Sequence, residues 1–122
     1  MLRLAGYKVR MLADRKLSDR PLFDQAHLDR YTGGDEALTA ELLGLMCEQA
    51  VRCISLMADA RDETAWQAAT HTLKGAARGV GAFALADVCE AAEHQPQSAW
   101  PGARLAIERC FQETETAFRV PR

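Results

Sequence analysis

Proline is scarce in this chain, occurring only at positions 21, 96, 101 and 121, so nothing breaks the long stretches rich in Ala, Leu, Glu and Arg that lie between them. Sustained alternation of apolar and polar residues is also missing, which removes the signature of half-buried strands and leaves an all-α domain as the natural reading. No apolar run approaches the roughly 18 residues of a membrane span. The opening "MLRLAGYKVRMLADRKLSDR" scatters its charges and has no apolar signal-peptide segment. The four cysteines, Cys47, Cys53, Cys89 and Cys110, form no CxxC pair and sit among apolar residues, as buried free thiols in a reducing compartment would. A cytoplasmic, soluble protein is therefore expected. Neither sign of charge dominates, with 15 Lys and Arg against 17 Asp and Glu, and nothing favours a nucleic acid or an anionic membrane as partner. The histidines at 27, 71 and 94 make no HxxxH or HExxH pair, and there is no P-loop and no GxSxG. No resident metal or cofactor is expected.

At 122 residues the chain is long enough for one domain with a core and too short for two. Residues 1–20 carry a basic excess, Arg3, Lys8, Arg10, Arg15, Lys16 and Arg20 against Asp14 and Asp19, and read as an N-terminal extension. Residues 21–122 read as the folded domain. "DQAHLDRYTGG" predicts a short helix capped by Asp24 and stopped by Gly33 and Gly34. Asp35 caps a long second helix to about Ala60, whose Leu38, Leu42, Leu45, Cys53 and Leu56 share one face, with Leu43, Ala50, Ile54 and Met57 widening the apolar arc. Asp62 caps a third helix that ends near Gly79 to Gly81. A fourth, about Phe83 to Gln95, buries Leu85, Val88, Cys89 and Ala92. After a loop "PQSAWPG", a fifth places Ala103, Ile107, Cys110, Phe111, Thr114, Ala117 and Phe118 on one stripe. The expected architecture is an antiparallel four-helix bundle with a short extra N-terminal helix across one end. One such core accounts for every amphipathic segment, which predicts a monomer.

The third helix has an unusual outer face. On a wheel of about 100° per residue, Trp66, Ala69, Leu73, Ala77 and Val80 form the core stripe, and Gln67, His71, Lys74, Gly75 and Arg78 lie opposite. His71 therefore points outward. Gly75 follows one turn later on the same face at a cost of roughly 1 kcal/mol relative to alanine, and Gly79 one turn after that, where it also suits a helix end. A bare helical surface beside an exposed imidazole admits close approach by another protein. Lys74 and Arg78 place cations where a phosphoryl group on the ring would sit. Neutral imidazole is a competent nucleophile near neutral pH and needs no triad if the phosphoryl donor arrives activated.

The segment "HTLKGAARGVGAFALADVCEAAE", His71 to Glu93, closely resembles the histidine-containing phosphotransfer (HPt) domains of multistep two-component relays. His71, Lys74, Gly75, Gly81, Ala82, Leu85, Cys89 and Glu93 fall on that family's motif, and the upstream "FDQAHLDRYTGGDEALTAELLGLMCEQA" extends the similarity to about residues 22–118. The resemblance implies a helical bundle without an ATP site, a phosphohistidine carrier and not a turnover enzyme, that accepts a phosphoryl group from one receiver-domain aspartate and passes it to another. It implies His71 as phosphoacceptor through Nε2, Lys74 as a stabiliser of the phosphoryl oxygens, Gly75 as clearance for the receiver, and Arg78 as a second cation. Gln67, Gly79 and Phe83 become candidate docking residues, Phe83 having the equal alternative of capping the bundle end. Receivers, among them that of a hybrid histidine kinase, are the implied partners, and Mg²⁺ would belong to the receiver. Two departures stand out. Ala76 replaces a common serine, and Glu93 stands where some members have a glutamine that orients the imidazole. The carboxylate either holds Nδ1–H or is a surface charge, and the sequence slightly favours the surface charge. Two other readings stay open: a helical scaffold that binds receivers or kinases without transferring anything, and a homodimer in the style of histidine-kinase dimerisation domains.

Overall fold

The computed structural model describes residues 21–119, so the N-terminal basic extension lies outside the described residues. Five α-helices follow in order: α1 (Gln25–Thr32), α2 (Glu36–Asp59), α3 (Glu63–Val80), α4 (Phe83–Glu93) and α5 (Trp100–Arg119), with a 3₁₀ turn (Gln97–Ala99) before α5. Helices α2 to α5 form the bundle, each packed on the next and α5 closing back on α2, while α1 lies against α2 and α3. The two- and three-residue connections 81–82 and 60–62 leave successive helices antiparallel.

Local chemistry sets the helix limits. Asp24, Asp35 and Asp62 each accept a hydrogen bond from a backbone N–H three residues on, at 3.2, 3.0 and 2.8 Å. Each satisfies one of the unpaired donors of the first turn. Gly33 and Gly81 end α1 and α3 in the left-handed region. Gly81 has a further constraint: at φ +88° it accepts a 2.9 Å bond from Asp24 N–H, and a Cβ there would lie 2.7 Å from the Asp24 carbonyl oxygen. The α3–α4 turn and the entry to α1 are thus one joint that only glycine fits.

The core stripe of α3 is as expected, with Trp66, Ala69, Leu73, Ala77 and Val80 all buried. The α2 face is so only in part: Cys53 of the expected stripe and Leu43, Ala50 and Met57 of the arc beside it are buried, and Leu42 packs against the core. Its buried residues are Thr39, Leu43, Met46, Ala50, Cys53 and Met57, whereas Leu38, Leu45 and Leu56 are 38%, 54% and 52% exposed. The helix is apolar around much of its girth, and packing chose the face bearing Ala50, fully buried like Ala77 of α3, over the leucine-rich one. The expected "PQSAWPG" loop is also shorter. Helix α5 already begins at Trp100, with Pro101 in the first turn where its missing N–H costs no bond. Trp100 is fixed there by stacking on Trp66, with ring centroids 4.8 Å apart, and by donating from its indole N–H to Gln95 O at 3.0 Å. The α4 helix ends at Glu93, two residues before the expected limit.

Candidate functional site

The α3–α4 hairpin carries the site. Because the two helices run back along each other from a turn at Gly81 and Ala82, side chains equally distant from that turn meet, and His71 and Glu93 are such a pair. Trp66 fixes the far end of the hairpin. Its ring is fully buried, and its indole N–H donates to the Ala92 carbonyl at 2.9 Å, which also accepts the Gln95 backbone N–H at 3.2 Å at the end of α4. Thr70, also fully buried, returns its hydroxyl to the Trp66 and Gln67 carbonyls at 3.1 and 3.2 Å, so the turn just before His71 hides no unsatisfied polar group.

His71 projects outward with its side chain 71% exposed, and its Nδ1 lies 3.5 Å from Glu93 Oε2. The other carboxylate oxygen of Glu93 accepts from Lys74 Nζ at 2.7 Å. Both of these last side chains are largely covered, at 12% and 13% exposure, so Lys74 leans across onto α4 and does not stand in solvent beside the imidazole. Glu93 is therefore not the surface charge that the sequence favours. The Lys74 ammonium, through its hydrogen bond and its charge, holds the Glu93 carboxyl below its ordinary range against the opposing effect of burial.

The remaining candidates divide. Arg78 donates to Glu90 Oε1 at 3.1 Å in a half-exposed pair on the same side of the hairpin. Gln67, one turn before His71, lies 3.4 Å from Nδ1 of His94, which the hairpin brings into this cluster. Among the described residues Gly75 and Gly79 meet nothing within 4 Å of the position a Cβ would take, so their bareness answers no packing demand of the described bundle. Phe83 is at the other end of the hairpin, about 15 Å along α4 from Glu93 at 1.5 Å per residue. There it packs edge-on against His27 with ring centroids 5.1 Å apart, which ties it to the bundle end and away from His71. Beyond the glycines, on the side away from α4, a groove of about 350 Å³ opens between α2 and α3, lined by Leu42, Leu45, Met46, Ala76 and Val80 among others.

The family model described as Hpt domain matches residues 40–117, from within α2 almost to the end of α5. The chain belongs to the Hpt domain family. Hpt domains are the histidine phosphotransfer modules of two-component phosphorelays, carriers without an ATP site of their own that interact with response-regulator receiver domains. No curated protein and no solved structure matches the chain. Within the Hpt match, His71 is the exposed histidine of the α3 face just described. Among the described residues no helix is long and apolar enough to cross a membrane.

Proposed function

We propose that this Hpt protein is a monomeric, cytoplasmic relay intermediate that takes a phosphoryl group from a receiver-domain aspartate onto Nε2 of His71 and passes it to the aspartate of another receiver. One observation carries this reading: His71 is exposed while the carboxylate beside it lies on the Nδ1 side, which leaves the Nε2 lone pair directed at an incoming partner. The receiver docks over α3. Gly75 and Gly79 give its backbone and reactive aspartate room to approach, and the groove between α2 and α3, which mixes half-exposed Leu45 with Glu48, Gln49 and Arg52, supplies contact area next to them. Gln67 lies at the rim of the same face. Lys74 and Arg78 lie on this side of the bundle, each paired with a glutamate, and donate to the phosphoryl oxygens by turning from Glu93 and Glu90 to the incoming group. In the transfer the Nε2 lone pair forms the N–P bond as the aspartyl P–O bond breaks in line, and the carboxylate leaves with the electron pair. Positioning and charge supply the catalysis, and any Mg²⁺ belongs to the receiver's own acidic pocket.

The test is transfer from a panel of pre-phosphorylated receiver domains to the protein, with His71→Gln beside it. Rapid labelling of the wild type alone, acid-labile and base-stable as a phosphoramidate is, is the expected result. Receivers that bind without labelling either protein would overturn the carrier reading in favour of a non-transferring scaffold.

A further inference from the structure

Helix α2 leaves part of its apolar surface uncovered among the described residues. Leu38, Leu45 and Leu56 stay exposed and fall within about 20° of one another on its wheel, a row about 27 Å long at 1.5 Å per residue. Exposed Glu41 and Glu48 line one edge of the row, and Arg52, the cation among them, donates to Gln49 Oε1 at 2.7 Å. Along the other edge the row runs into the groove against α3, where Leu42, Met46, Ala76 and Val80 form the apolar lining. We propose that residues 1–20 of this same chain cover that face, with apolar side chains on the leucine row and groove and cations against the glutamates, and that a receiver must displace them to reach His71. The displacement rests on the carrier reading; the covering does not.

Charge, composition and place select this occupant. Residues 1–20 hold six Lys and Arg against two Asp, a net +4, and the rest of the chain holds nine against fifteen acidic residues, a net −6. A second copy of the bundle would instead bring the same acidic edge against itself. Met1, Leu2, Leu4, Tyr7, Val9, Met11, Leu12 and Leu17 intersperse apolar side chains among the cations, as a surface of leucines edged by glutamates requires. The segment also joins the bundle at the right point. It leads into Pro21, three residues before Asp24, whose N–H is bonded to the carbonyl of Gly81, the residue after groove-lining Val80. Three residues span at most about 10 Å, so the segment starts beside the groove, and twenty extended residues reach about 65 Å, more than twice the length of the row. Tethering places it at an effective concentration on the order of millimolar, so a contact too weak to hold a separate partner is populated. Ala76 and Val80 follow directly on Gly75 and Gly79 of the His71 face. A segment in the groove therefore stands where the receiver's contact area lies, and transfer slows to the fraction of time that the face is open.

The experiment uses the full chain and its three lysines, Lys8, Lys16 and Lys74. A carbodiimide joins an amine to a carboxylate in contact with it, and the Lys74–Glu93 pair at 2.7 Å is an internal reference. Peptide mass mapping of the monomeric product should show Lys8 or Lys16 joined to Glu41 or Glu48. High salt should remove these links, as should the triple variant Leu4→Gln, Tyr7→Gln, Val9→Gln, which keeps both lysines, while the reference link persists. The same variant should accept phosphoryl groups from a labelled receiver roughly five- to tenfold faster than the wild type. Links found only in covalent dimers would overturn the proposal in favour of a neighbouring chain, and links spread evenly over all exposed carboxylates would overturn it outright. The expected links with an unchanged transfer rate in the variant would overturn the displacement. If no receiver labels either protein, the carrier reading fails and the displacement with it, while the link map still decides whether the segment covers α2.

Discussion

Replacing Gly75 by alanine separates what the fold needs from what a partner needs. In the isolated bundle the added methyl meets no atom within 4 Å, so no contact is strained. The substitution removes the extra backbone freedom that a helical glycine gives the unfolded chain, and Gly75→Ala should stabilise the protein by about 1 kcal/mol. For a domain of this size that is an increase of roughly 3–6 °C in Tm. The same methyl stands on the outer face one turn from His71, where a docked receiver would pack closely. Overfilling a close-packed contact costs about 1–3 kcal/mol, so affinity and transfer rate should drop by a factor of roughly 5 to 150. Urea or thermal unfolding reads the first effect, and phosphotransfer from a labelled receiver reads the second. A protein that is more stable and transfers at the wild-type rate would refute the clearance argument. A protein that is less stable would refute the geometry on which the argument rests.

Gly81→Ala should behave in the opposite way. Its φ of +88° and a Cβ 2.7 Å from the Asp24 carbonyl oxygen predict a loss of at least about 2 kcal/mol, measured by urea unfolding; a change under 0.5 kcal/mol would contradict the joint described for that turn. Alkaline pH should also weaken the bundle through its buried thiols. Burial pushes the Cys89 thiol far up and the Cys110 thiol up to about 11, from an ordinary 9.0. The stability that goes with keeping them neutral is complete below pH 9 and declines as the pH rises toward the folded values, because the unfolded thiols release protons that the folded ones retain. The loss by pH 10 is about 1.4 kcal/mol for each thiol. Unfolding midpoints measured from pH 8 to 10.5 check this, and Cys89→Ala should flatten the slope.

Reading single helices recovered what single helices determine. The aspartate caps, the glycine stops and the α3 core stripe follow from local rules, and so does the outward placement of His71. The errors arose where a second element decides. On α2 the leucine-rich stripe was expected inside because apolar periodicity counts side chains and does not register how closely two backbones approach. The bundle buries Cys53 of that stripe, with Leu43, Ala50 and Met57 of the wider arc and the unexpected Met46, and leaves Leu38, Leu45 and Leu56 more than a third exposed. Trp100 looked like loop because Pro101 and Gly102 follow it, although proline suits a first helical turn and a tryptophan 4.8 Å from another can anchor one. Glu93 looked like a surface charge because a wheel drawn for α4 alone has no partner on it. The missing signal was in the sequence all the same. Once Gly81 is taken as a tight turn, the symmetric spacing of His71 and Glu93 about Ala82 puts them opposite each other.

Two features of the hairpin make sense only together. Glu93 is the final residue of α4, where the partial negative charge of the helix end disfavours a carboxylate by about 0.3–1 kcal/mol, and that last turn holds no basic residue of its own. Its compensation comes from another helix, through Lys74. Gly75 lies in the interior of α3, where alanine would fit freely and a glycine costs about 1 kcal/mol. A sequence under selection for the bundle alone would reverse both choices. They are adjacent in space only because both flank His71, one facing its Nδ1 and the other one turn along the face it shares. Gly44 of α2 is likewise a helix-interior glycine with open space beside it, but a departure of each kind flanks the exposed imidazole of α3, as a site held for an incoming partner would show. The rigidity of the support agrees with this. The Trp66 indole bond to Ala92 fixes the end of α4 immediately before Glu93, and the Gly81–Asp24 joint fixes its start, so the carboxylate is presented from a helix clamped at both ends. On the proposed role, in which the same ring meets more than one receiver, that clamp keeps a geometry that neither partner would stay bound to impose.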